Sequence, residues 1–317
     1  MNPILPGAPW LIAHRSMLSV NRPHKLTLNG QDYVLWQSDR GEIFALNNVC
    51  PHMQAPLSNG WICQERGTIT CPFHALEFDG AGRFHREGKR DTQPIAQPLP
   101  LTVIGDCIWT YGDCQPRKAI PETVEQIAAE YDFIGIAGER TIQGSFLDTW
   151  LINSDFNHQN GTHRQLFQIV DNRVTEFDQN GNWYRVKQES TRVNNSLGEL
   201  LTNPVLLTIP KILKSTVEYF FPSVLVLYAE SGVGPFAQVV VQYPQQDNQT
   251  KIYELIFGKF KPTWVKRLLR QSMLKAIDVV VEQDSSAIET RYPEQPAKIR
   301  LPNEEVMTYA ERLYQAW

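Results

Sequence analysis

Two short motifs constrain this 317-residue chain more than anything else in it: Cys50-Pro51-His52 and Cys71-Pro72-Phe73-His74, a C-x-H and a C-x2-H with eighteen residues between them. Each half offers one thiolate and one imidazole, and each falls where a strand runs into a loop. The two loops must be held together by whatever the four donors bind. A Cys2His2 zinc finger keeps its cysteines in one half and its histidines in the other, so the order is wrong for that site. The order suits a two-iron two-sulfur cluster in which one iron takes both cysteines and the other both histidines. Neutral imidazole in place of thiolate removes negative charge and raises the reduction potential, into a range of roughly −150 to +300 mV. The bland alternative, two buried cysteines beside two surface histidines, needs four spaced donors to arise in one loop pair by accident. Cys63, Cys107 and Cys114 are spare thiols. An odd count of five, with no export signal, argues against a disulfide framework.

A cluster module would end near residue 115, which leaves about 200 residues to account for. They contain Asp155-Phe156-Asn157-His158 and then His163, a D-x2-H-x4-H pattern. At 3.6 residues per turn, Leu147, Leu151, Asp155 and His158 share one helical face. His163 lies about 140° away on a regular helix, so Gly161 is expected to end or bend it and fold His163 back towards His158. Two histidines and one carboxylate leave open positions on a metal for oxygen. The last long helix offers the carboxylate: Ile277, Val281, Asp284 and Ile288 set Asp284 inside an apolar stripe, where a carboxylate is costly unless paired or metal-bound. Asp278 is the reserve candidate, and the polar neighbours Glu282, Gln283, Ser285 and Ser286 can point elsewhere. A plain helix-surface aspartate is the bland reading. Of the seven histidines, His14, His24 and His85 fit no ligand pattern.

The length suggests about two domains. The net charge of −4 gives no electrostatic reason for a nucleic-acid partner. The longest apolar run, 220–229, is about half of a membrane span. The N-terminus shows no secretory signal, so a cytoplasmic location is the default expectation. Before residue 120 the chain reads as strands and turns, with a hairpin signal at Asn29-Gly30 and a further strand in EIFAL. The boundary is placed at 112–121, giving an all-β domain over 1–115 and a second domain over 122–317. The second opens with helix-friendly PETVEQIAAE and a short strand, DFIGIA, and a helix begins near Ser145 with Asp148 as its capping partner. Strands LFQIVDNRVTEF, NWYRVKQEST, VLLTI, SVLVLYAE, FAQVVVQY and KIYELIFGKF follow without crossover helices, so an antiparallel sheet is expected. The last helix runs from about Thr263 towards Pro293. The class is α+β. Trp183, Tyr184, Tyr219 and the VLVLY strand read equally as pocket wall or core.

CPHMQAPLSNG and CPFHALEFDGAG resemble the Rieske motifs of ring-hydroxylating and demethylating oxygenases. VEQDSSAIE resembles the segment that carries their third iron ligand, an Asp with a Glu five residues later, here Asp284 and Glu289. That family more often has Arg-Gly after the first histidine and Gly-Trp after the second; Met53-Gln54 and Ala75-Leu76 stand here. Respiratory Rieske proteins carry an extra disulfide, for which Ala55 and Phe73 offer no cysteines. The resemblance implies a Rieske two-iron two-sulfur domain holding its cluster through Cys50, His52, Cys71 and His74. It implies a helix-grip catalytic domain with mononuclear non-haem Fe(II) on His158, His163 and Asp284. Asp155 would bridge His158 to His74 of the partner subunit in a homotrimer. The implied activity is that of an oxidoreductase, a monooxygenase or dioxygenase. It would use O2 and electrons from a ferredoxin or flavin reductase fed by NAD(P)H, to hydroxylate or demethylate a small, largely apolar substrate. No nucleotide-binding glycine pattern appears in the chain itself. The alternative is an electron-transfer or redox-sensing Rieske protein with a non-catalytic binding domain.

Overall fold

The computed structural model describes residues 3–86, 89–261, 264–292, 295 and 297–317. The chain divides into two compact units, Met1–Ile120 with Gln245–Asp247, and Pro121–Pro244 with Asn248–Trp317.

The first unit is built from three small antiparallel sheets. Strands His24–Leu28 and Gln31–Gln37 form the hairpin expected at Asn29-Gly30, where both turn residues are left-handed (φ 50° and 80°), and Ile43–Asn47 adds the third strand. A five-stranded sheet covers residues 61–94. Between the two sheets lies an apolar core of Val34, Trp36, Leu46, Leu57, Ile69 and Phe78, which includes the two motif cysteines.

The second unit carries helix α1 (Thr123–Glu130) and a seven-stranded sheet. Its strands are β1 (Asp132–Ile142), β2 (Ile169–Asn180), β3 (Trp183–Arg192), β4 (Ile212–Phe220), β5 (Val224–Ser231), β6 (Gly234–Gln246) and β7 (Gln249–Gly258). The sheet order is β1-β7-β6-β5-β4-β3-β2, so nearly every strand pairs with its neighbour in sequence, while β1 closes onto β7. Helix α5 (Trp264–Glu289) lies against β1, as a helix-grip arrangement requires. Thr263 and Pro293, the limits expected for it, lie outside the described residues. The close approach needs glycine: a Cβ on Gly138 would stand 2.5 Å from Val281 Cγ2. Gly138 is also left-handed, φ 64°, in a β-bulge between Ala137 and Arg140.

Several elements depart from the sequence reading. Helix α2 (Phe146–Ile152) starts as expected, with Ser145 Oγ accepting from the Asp148 N–H, but stops before Asp155. Asn153 Nδ2 and Ser154 Oγ donate back to the carbonyls of Thr149 and Trp150, which competes with further helix. The expected strand VLLTI is a 3-10 turn, Pro204–Thr208: proline at its first position suits a helical turn and removes an N–H that a strand would need. Before it stands α4 (Leu197–Thr202), opened by a capping box of Ser196 and Glu199. Helices α3 (Arg164–Phe167) and α6 (Glu305–Gln315) were not anticipated. Tyr184 and Tyr219 are fully buried and belong to the core. They stack at 4.2 Å, the Trp150 Nε1–H donates to Tyr184 Oη at 2.7 Å, and Tyr219 Oη donates to Asn153 O, so both hold α2 in place.

Candidate cluster loops and metal centre

The two cluster motifs occupy loops of one plan. The Cys50 N–H donates to Ala55 O (2.9 Å) and the Gln54 N–H to Cys50 O (3.0 Å); the Cys71 N–H donates to Leu76 O (2.8 Å) and the Ala75 N–H to Cys71 O (3.1 Å). Each loop closes around its own cysteine, and the fourth residue after that cysteine is left-handed: Gln54 at φ 54°, Ala75 at φ 55°. These are the two positions where the resembled motifs more often carry glycine, and a left-handed backbone is the reason glycine suits them. Cys50 and Cys71 are both buried, whereas His52 and His74 are exposed with their rings edge-on, centroids 4.8 Å apart. Burial pushes the Cys50 thiol up, the His52 N–H pulls it down, and the neighbouring Cys71 sulfur raises it again. Sulfurs paired on the buried side and imidazoles on the exposed side fit a two-iron cluster. The four donors do not crowd around one point as ligands of a single ion must; among the described residues only one other group does.

That group is His158, His163 and Asp284. His158 opens a 3-10 turn, His158–Asn160, and His163 sits at the N-terminal cap of α3. Their Nε2 atoms are 3.1 Å apart, and Asp284 Oδ1, from α5, lies 3.5 Å from His158 Nε2 and 3.1 Å from His163 Nε2. The fold-back does not depend on glycine: Gly161 has φ −109°, open to any residue. The shared helical face expected for Leu147, Asp155 and His158 is absent, because α2 has ended; the histidines converge through two turns instead.

Each histidine is oriented from behind. His158 Nδ1 bonds Asp155 O, and His163 Nδ1 bonds Gln283 Oε1 at 2.8 Å. Both acceptors are carbonyl oxygens, so each Nδ1 carries the proton and each Nε2 presents a lone pair to the centre. Asp284 Oδ1 accordingly has no hydrogen-bond donor despite its short distances. Three lone-pair atoms face one another in a half-buried site, and only a cation between them relieves the repulsion. A proton is one such cation. Burial works against a charged His163, yet the Asp284 carboxylate beside it outweighs burial and holds this imidazole above its ordinary value. For His158, burial prevails and holds it below. A divalent metal is the other, and the donor set fits iron with positions left open.

Other candidates fall elsewhere. Asp278 is exposed and accepts from the Gly138 N–H at 2.5 Å, so the reserve carboxylate is engaged with β1. The Asp155 carboxylate accepts from the Asn157 N–H at 2.9 Å, and it is the main-chain oxygen that meets His158. Glu289 accepts from the Gln143 N–H at 2.8 Å. Two of the polar neighbours on the same helix are engaged: Gln283 supports His163 and Ser285 is buried on Val281 O. Sequence reasoning also passed over Glu254 on β7, buried at 3% exposure and accepting from Gln238 Nε2 at 2.7 Å. Burial and the nearby Asp284 and Asp278 charges hold its carboxyl well above the usual range. A lone acid inside the apolar run IYELIF was the available signal.

The architecture defined so far is a cluster-loop unit joined in sequence to a helix-grip unit with a two-histidine, one-carboxylate centre. The family model of the Rieske [2Fe-2S] domain matches residues 9–98, so the first unit contains a Rieske domain. The chain is 30% identical over 176 residues to 4beta-methylsterol monooxygenase of Methylococcus capsulatus, covering 53% of this chain and 47% of that protein. It is 30% identical over 128 residues to the oxygenase component of dicamba O-demethylase from Stenotrophomonas maltophilia, covering 39% and 37%. The chain thus spans half or less of the length of these relatives. Its fold is that of dicamba monooxygenase in the crystal structure bound to dicamba, with a TM-score of 0.78, 19% identity and 99% of both chains covered. It is therefore a Rieske-domain protein related to the Rieske oxygenases in sequence and in fold.

Proposed function

We propose that the chain is the oxygenase component of a Rieske non-haem iron system, hydroxylating or oxidatively demethylating a small, largely apolar substrate. The observation that carries this reading is the convergence of His158, His163 and Asp284 with no proton donor between them. A pure electron carrier has no use for a second buried cation site. Cys50, His52, Cys71 and His74 would hold the cluster, and His158, His163 and Asp284 one Fe(II). When bound, the cluster would supply single electrons and the mononuclear iron would activate O2.

The chain's own groups do the positioning. Asp155 O and Gln283 Oε1 hold the Nδ1 protons, which orients both imidazoles with Nε2 towards the centre. Burial and the neighbouring Asp284 charge hold the Glu254 carboxyl well above its usual range, which disfavours a further negative charge near Asp284. The relatives named for a methylsterol and for dicamba support an apolar or aromatic substrate class. Electrons would come from a ferredoxin or flavin reductase in the cytoplasm. In a homotrimer, Asp155 would link His158 to His74 of the partner subunit.

The test is iron and acid-labile sulfide per chain after anaerobic loading with iron(II), followed by oxygen uptake with candidate substrates. About three irons to two sulfides are expected. A ratio of two to two would overturn the oxygenase reading and leave an electron carrier or redox sensor.

A further inference from the structure

One face of the second unit remains unused by this chemistry. Helix α4 exposes Leu197 and Leu201, four residues apart and 80% and 82% accessible, and the first turns of α5 expose Trp264 and Leu268 in the same i, i+4 relation, 64% and 68% accessible. Leu207 in the 3-10 turn and Ile212 at the start of β4 are exposed as well. Apolar pairs on one side of a helix normally face a core. Here they face outward, and such a patch marks an interaction surface.

Hydrogen bonds join these segments to one another. The Val205 N–H donates to Ser272 Oγ at 2.9 Å, joining the 3-10 turn to α5. The Gly232 N–H donates to Thr208 O at 2.6 Å, and the Lys261 N–H to Val233 O at 3.1 Å, joining the turn, the β5–β6 hairpin and the approach to α5. The Arg192 guanidinium, buried with no carboxylate partner among the described residues, holds these segments together. It donates to Leu206 O (3.3 Å), Ile209 O (2.9 Å) and Phe167 O (2.9 Å), the last only four residues past His163.

Basic residues predominate on this face, although the acids Glu130, Asp132 and Glu230 lie beside it. Between Lys259 and Lys275 there are six basic residues and no acidic one, in a chain whose net charge is −4. Lys259 reaches Glu130 and Lys266 reaches Asp132, whereas Lys211, Lys261 and Arg267 have no ion pair among the described residues. Glu199, the one acid of residues 193–214, is engaged in the α4 capping box.

We propose that this face docks on the surface of an anionic lipid bilayer. Exposed leucine and tryptophan would enter the headgroup boundary, and the unpaired lysines and arginine would meet lipid phosphates. A second copy of the chain is a poor occupant, since protein interfaces deplete lysine at their centre and like charges would face each other. An acidic redox protein would satisfy the charge but not the six protruding apolar side chains, because such transient contacts are small. No helix among the described residues is long and apolar enough to cross a membrane. For an apolar substrate dissolved in lipid, the Arg192 clamp would set the metal loop close to its source. That purpose rests on the proposed oxygenase reading; the docking itself does not.

The test is co-sedimentation of the metal-loaded protein with vesicles of phosphatidylcholine alone or with about a third phosphatidylglycerol. Binding at least tenfold tighter to the anionic vesicles, and weakened by salt, is expected. K261E with R267E should lower it by about twentyfold or more, and L201S with L268S by about tenfold, both at unchanged iron and sulfide content. Equal binding to both vesicles, or variants that bind like the parent, would overturn the proposal. So would an oligomer, seen by sedimentation equilibrium, that L201S with L268S dissociates while vesicle binding is absent; that result would assign the face to a second copy. None of these readouts uses turnover, so docking and oxygenase activity can fail independently.

Discussion

The cluster loops and the metal centre are built in opposite ways. All four proposed cluster donors lie within 25 residues, in two loops that each close through bonds between a cysteine and residues four and five positions on. The proposed metal centre would take two ligands from consecutive turns and its third, Asp284, from a helix position 121 residues past His163. A local site survives if its loops fold. A composite site also needs the sheet, the helix and their separation to be right. The first should tolerate changes in the second unit, and the second should be lost through substitutions that touch no ligand.

The sharpest break of that comparison is a reciprocal pair. Asp284→Ala should abolish the mononuclear iron and reduce substrate-dependent oxygen uptake by about a thousandfold or more, while cluster absorbance and sulfide content stay unchanged. Cys71→Ala should remove cluster and sulfide yet leave iron(II) binding at the second centre. Loss of both metals in either variant would mean that the sites fold as one.

Gly138→Ala tests whether α5 position controls the composite site. A Cβ there meets Val281, one turn from Asp284, and the left-handed backbone disfavours alanine. A loss of about 2–4 kcal/mol in unfolding free energy is expected, with weaker iron(II) binding and an intact cluster. Gln283→Leu is milder. It frees the His163 tautomer and should weaken iron(II) by about 10- to 100-fold in a titration, without a change in melting temperature as large as that of Gly138→Ala.

Glu254→Gln probes the electrostatics of the same unit. The folded carboxyl titrates well above its ordinary 4.5, so the unfolded chain ionises first as pH rises. Glu254 therefore costs no stability below about pH 4.5 and costs up to about 1.4 kcal/mol for each pH unit above it, until its folded value is reached. Glutamine removes that cost, so the variant should gain on the parent at pH 7 and match it at pH 4, read by denaturant unfolding. The smallest effect belongs to the cluster loops: Ala75→Gly at φ 55° should stabilise by about 1 kcal/mol or less, relief of left-handed strain being offset by glycine's freedom when unfolded.

The sequence by itself determined the order and spacing of the cluster donors, the Asn29-Gly30 hairpin, the Ser145 start of α2 and the apolar stripe that carries Asp284. These rest on short-range rules: turn chemistry, capping and helical period act between residues a few positions apart. Gln54 and Ala75 were legible as departures from glycine, but only the loop backbone explains why glycine is usual there. Tertiary structure decided the rest. Asp155 left the helical register because Asn153 and Ser154 end α2, and Asp278 lost its candidacy to a hydrogen bond from Gly138. Gln283 and Glu254 acquired their places only when β7, α5 and the histidine loop came together. Burial and lone-pair direction belong to a packed neighbourhood, and no period along a chain records which neighbours will be there.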